Sequence, residues 1–264
     1  MEKSYKKKIN NVIIISALIA LIIFDLLKIS FSDDKIISEM INMIISRFIG
    51  GAVFIMFIHN FRYNILNPFK KPFFKSLLII LPCLIVVINN LPIIALFTGA
   101  GYVKAPHLAI MLFVIECIGI GLFEEAAFRG VLLLLIIEKA PKTKKGIFYS
   151  IVLSSAIFGL IHIFNLFSGS GAGAVILQIG YSFLFGGMWA AVLLKTHNLW
   201  LCVLLHAIYD FCGILLPTLG GGTWWDTPTI IITVILAILV AVYILRMIFK
   251  IKPESLSNIY SKEQ

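Results

Sequence analysis

The sequence predicts an all-α fold: a polytopic transmembrane helix bundle of about eight spans, forming a single integral membrane domain over residues 1–264. Three observations carry this. The chain is 60% hydrophobic and only 13% charged, whereas a soluble domain is roughly 45–50% apolar and about 25% charged. Its mean hydropathy is +1.03. Its apolar runs recur at about the 20 residues that a helix needs to cross a bilayer, with short loops between them. No segment is long and polar enough for a separate soluble domain.

The runs predict helices at about 9–29, 36–58, 76–98, 107–138, 146–167, 171–194, 198–217 and 228–250. The first follows Lys3, Lys6, Lys7 and Lys8 and so resembles a signal peptide. No small-residue cleavage site follows its apolar stretch from Ile13 to Leu27, so it reads as a retained span. Proline punctuates the others: Pro72 precedes the third helix, Pro106 the fourth, and Pro228 the eighth. Pro141 follows the fourth and Pro217 closes the seventh. No internal repeat is visible, which weighs against a repeat-built transporter.

Lys and Arg concentrate on one side of this arrangement. The N-terminal tail, the second loop (Arg62, Lys70, Lys71, Lys75), the fourth (Lys139, Lys142, Lys144, Lys145), the sixth (Lys195) and the C-terminal end are basic, while the alternate loops hold only Lys28, Lys35 and Lys104. The positive-inside rule then places both termini in the cytoplasm. Trp224, Trp225 and Asp226 fall in an outside loop. The net charge of +9 is therefore a matter of topology, and nucleic acid is not an expected partner. The lipid bilayer is. A composition rich in Ile, Lys and Asn points to a bacterial cell membrane. The four cysteines, Cys83, Cys117, Cys202 and Cys212, lie inside apolar runs without a CxxC pair. They read as small buried hydrophobes.

Chemistry enters at Leu122-Phe123-Glu124-Glu125-Ala126-Ala127-Phe128-Arg129-Gly130. A charge at the bilayer centre costs about 2.5–3.5 kcal/mol on insertion scales, and here three share one apolar helix. Glu125 and Arg129 are spaced i, i+4 and pair on one face. Glu124 is left as the less neutralised carboxylate, which is what a general base requires. Two more apolar helices carry Phe158-Gly159-Leu160-Ile161-His162 and His206-Ala207-Ile208-Tyr209-Asp210. If the three faces converge, they form a cage for a water, a metal, or both. Outside this set, Asp25 and Arg47 read as an interhelical pair and Glu116 as structural or solvated. His59, His107 and His197 read as interfacial, and Gly119 and Gly121 as points where the fourth helix bends or packs closely.

The order EExxxR, FxxxH, HxxxD over successive helices resembles the CAAX prenyl protease and bacteriocin-processing family, the Abi-type intramembrane proteases. The match comprises Glu124, Glu125 and Arg129, then Phe158 and His162, then His206 and Asp210, and it covers roughly residues 107–217, a protease-type core. The resemblance implies peptide-bond hydrolysis within the membrane. Glu124 and His162 would activate the attacking water, His206 and the residue four after it would stabilise the oxyanion, and Arg129 would hold Glu125. Many prenyl-protease members have Asn where this chain has Asp210. An ionised Asp only accepts hydrogen bonds, so Asp210 is expected to orient His206 instead, and CAAX substrates are less strongly implied than peptidase activity itself.

Two histidines and a carboxylate also suit a divalent metal such as zinc, with Glu124, His162 and His206 as its ligands. No HExxH helix is present, so a metal-free, glutamate-activated water stays open beside it. The expected substrate is a hydrophobic peptide or membrane-anchored protein. The alternative is a non-enzymatic membrane protein, either a bacteriocin-immunity factor or a proton-coupled carrier using the same buried groups.

Overall fold

A computed structural model describes residues 29–69, 72–223 and 225–260, with isolated positions between 16 and 27. The first expected span and the Asp25–Arg47 pairing lie outside the described residues, as does Trp224. Among the described residues, helices follow one another with short turns. They are α1 (Lys35–Asn60), α2 (Phe73–Asn89), α3 (Ile93–Thr98), α4 (His107–Lys139), α5 (Lys144–Leu166), α6 (Ala172–Thr196), α7 (Leu199–Leu219) and α8 (Thr227–Phe249). Six of them are long and apolar enough to cross a membrane, and α2 is a shorter apolar helix. The protein is a multi-pass membrane protein built as an all-α bundle.

The helix ends have local causes. Asp34 accepts from the backbone N–H groups of Ile36 and Ile37 and starts α1. Thr143, Asn198 and Asp226 cap α5, α7 and α8 in the same way. The third expected span, 76–98, is broken: α2 stops at Asn89 and the chain restarts as α3 after Pro92. Proline has no N–H to continue the ladder and disfavours helical geometry in the residue before it. A second departure is a small antiparallel ribbon, Gly101–Val103 (β1) with Gly220–Gly222 (β2), which ties the α3–α4 connection to the α7–α8 loop.

α4 is the central element and packs between α1 and α7, while α5 packs on α6. At about 1.5 Å per residue, its 33 residues exceed the roughly 30 Å hydrocarbon thickness. Its Glu138 end reaches Tyr63 in the α1–α2 loop. There the segment after α8 folds back: Asn64 N–H donates to the Ile259 carbonyl (2.6 Å), and Tyr260 meets Tyr63 edge-on at 5.7 Å. Burial, with Glu138 nearby, pushes both phenols up, Tyr260 to about 12. All four cysteines are buried and unpaired.

Candidate active site

The site is organised by two irregularities in α4. Gly121 lets α4 press on the backbone of α7: a Cβ there would stand 2.9 Å from the Val203 carbonyl oxygen and 3.2 Å from the Ala207 nitrogen. Gly119, by contrast, faces the Phe48 ring of α1. Immediately after Glu125 the helix widens to π geometry over Ala126–Leu133, a device often found at functional sites. Glu124 and Glu125 sit at this junction, about one turn beyond Gly121.

The polar groups then meet around one imidazole. Glu125 Oε1 lies 2.7 Å from His206 Nδ1 and 2.9 Å from Arg129 Nη1. A carboxylate paired with a guanidinium accepts, so His206 Nδ1 carries the hydrogen. Nε2 on the far side faces Asp210 Oδ2 at 3.4 Å and Glu124 Oε2 at 3.6 Å. Ionised carboxylates have no hydrogen to offer, so a hydrogen bond across this triangle requires a proton on Nε2 or on a carboxyl. The Glu125 and Arg129 side chains are 0% and 1% exposed, whereas Glu124 and Asp210 are 22% and 17% exposed. Glu124 and Asp210 are thus the partly exposed acids of the cluster, while His206 and the Glu125–Arg129 pair are buried behind them.

Aromatic rings pack around the buried groups. Arg129 Cζ lies 4.1 Å from the centroid of Phe158 and 5.0 Å from that of Trp189. Its terminal nitrogens make no well-directed hydrogen bond. Charge and the ring faces hold it instead. Trp189 also stacks on His206, with centroids 4.3 Å apart and planes 15° apart.

His162 reaches the group differently. α5 tightens to a 3-10 turn over Ile161–Leu166, and His162 Nδ1 donates to the Phe158 carbonyl oxygen at 2.9 Å. This leaves Nε2 with a free lone pair in the neutral ring. Its imidazole stands edge-on to Phe158 at 5.3 Å, and His206 meets the same ring at 6.3 Å. Glu124, Glu125, Arg129, His206 and Asp210 thus touch directly, and His162 joins them through Phe158.

Glu125 holds His206 at Nδ1, a contact the sequence did not suggest, while Asp210, expected to orient the ring, faces its Nε2. Trp189 went unnoticed in the sequence: an aromatic residue in an apolar helix has no signature of its own. The trace it leaves is its setting among Gly186, Gly187, Ala190 and Ala191, small neighbours that let α6 approach Ser155 and Arg129.

An apolar multi-span bundle enclosing an acid–histidine–arginine cluster defines a membrane-embedded polar site. Residues 106–212 match the family described as type II CAAX prenyl endopeptidase Rce1-like. Over that segment the chain is similar to CAAX-type intramembrane endopeptidases, as the three motifs led us to expect, and it holds every residue of the cluster. Comparison with curated proteins and with solved structures finds no match. Among the described residues, no group of three or more His, Cys, Asp or Glu side chains is arranged to hold a metal ion.

Proposed function

We propose that this protein is an intramembrane endopeptidase that hydrolyses a hydrophobic or membrane-associated peptide using a water activated by Glu124 with His162. The supporting observation is that His206 is pinned from behind by Glu125 while Nε2 faces the partly exposed Glu124 and Asp210. In the reaction Glu124 takes a proton from water as its oxygen bonds to the scissile carbonyl carbon. The developing oxyanion accepts from His206 Nε2–H, a preorganised donor in a water-poor site. The C–N bond then breaks, and the proton held by Glu124 passes to the leaving amine. Asp210, protonated, donates as the Asn of relatives would; ionised, it holds the Nε2 proton in place.

The substrates this reading admits include a bacteriocin precursor, a peptide pheromone, a prenylated tail and a membrane-anchored protein. The test is mass spectrometry of membrane and secreted peptides from cells carrying the wild type or Glu124→Gln. Fragments that appear only with the wild type are expected, and identical peptide sets would overturn the reading. The same acid–histidine triangle also suits a non-enzymatic immunity factor or proton-coupled carrier. A cellular phenotype rescued by Glu124→Gln would move the assignment there.

A further inference from the structure

Along Ala172–Thr196 the only charged residue is Lys195, at the end of α6 remote from the cluster. What α6 contributes is Trp189. We infer that Trp189 is a positioning residue for His206: its indole clamps the imidazole plane against Glu125, so that Nε2 stays turned toward Glu124 and Asp210. The reaction it would serve is the proposed peptidase chemistry, whereas the clamp itself is a matter of geometry.

One hydrogen bond to Nδ1 fixes a point of the ring but not its plane, and the imidazole can still swing about that contact. A stack at 4.3 Å and 15° fixes the plane, and the Phe158 edge closes the remaining flank. The clamp is itself held. Trp189 is 1% exposed and lies near-parallel to Phe185 at 5.6 Å and 28°. Its carbonyl accepts from Cys202 Sγ at 3.4 Å, which ties α6 to α7 one turn before His206. The indole also neighbours Arg129 at 5.0 Å, so the ring borders both groups that hold Glu125. An aliphatic side chain offers neither the flat face nor the quadrupole.

The experiment has two independent arms. In the first, Tm is measured for Trp189→Leu, His206→Gln and the double variant in detergent. A stack makes the two losses non-additive, and additive losses overturn the clamp whatever the activity. In the second, purified protein cleaves a membrane peptide. Trp189→Leu should lower kcat about 10–100-fold, the scale of a small misplacement, with KM unchanged, and Trp189→Phe should recover most of it. Wild-type kcat in Trp189→Leu overturns the inference. If Trp189→Leu does not fold, Trp189→Met, which also lacks a flat face, takes its place in both arms by the same criteria. A wild type that cleaves nothing sinks the peptidase reading, and the Tm cycle still decides the clamp.

Discussion

Glu125 and His206 stand 81 residues apart in the chain and 2.7 Å apart in the fold. That bond divides the labour of two adjacent acids. Glu125 is consumed by Arg129 and His206 in the dry interior, and Glu124, one residue earlier, keeps an oxygen on the accessible side.

Glu124→Gln should therefore abolish nearly all peptide cleavage, a loss of about 10²–10⁴-fold for a general base, while keeping volume and packing. Asp210→Asn should retain measurable turnover, since Asn can donate where Asp210 stands. Cleavage of a membrane peptide by purified protein, with folding checked by thermal unfolding, measures both. Full loss in Asp210→Asn with a mild Glu124→Gln would reassign the base to the His206–Asp210 pair.

Arg129→Met removes the buried partner of Glu125 and leaves a carboxylate without compensation. Breaking a buried pair from one side costs about 3–5 kcal/mol. A marked drop in Tm is expected, partly restored by adding Glu125→Gln, because the second change removes the stranded charge. No restoration would mean that Arg129 stabilises through its ring contacts alone.

Gly121→Ala should impair cleavage more than Gly119→Ala. The first methyl group meets α7 backbone, which cannot move aside without displacing His206; the second meets the Phe48 ring at 3.0 Å, which can turn. Overpacking of this kind costs about 1–3 kcal/mol. Equal effects in a side-by-side assay would show that the α4–α7 approach does not set the site.

Reporter fusions after Lys145 and Lys252 should both read as cytoplasmic, and one within Gly220–Asp226 as external, following the Lys/Arg asymmetry. An external signal from the fusion after Lys252 would overturn this topology.

Hydropathy made the described spans legible to within a few residues, because length and apolarity are written locally: the expected 107–138 is His107–Lys139, and 228–250 is Thr227–Phe249. The break at Asn90–Pro92 was less legible, since the residues on both sides stay apolar. At the site, the ionisable groups announced themselves by their cost in a bilayer, and the Glu125–Arg129 pairing followed from i, i+4 spacing. Which carboxylate would hold Nδ1 of His206 depends on how α4 and α7 rotate against each other at Gly121, and no local pattern records that. Trp189 was hidden for a related reason: its importance comes from a ring on another helix.

The π segment Ala126–Leu133 also says how α4 should respond to deletions. Elsewhere along the helix, losing a residue breaks register at no benefit. Here the i→i+5 ladder already accommodates an extra residue, so deleting Leu132 lets the stretch close into regular i→i+4 hydrogen bonds. The repair leaves the helix on either side in register and falls on the π segment itself, where it shifts Arg129 against Phe158 and Trp189. A deletion series should find a chain that folds well and cleaves nothing.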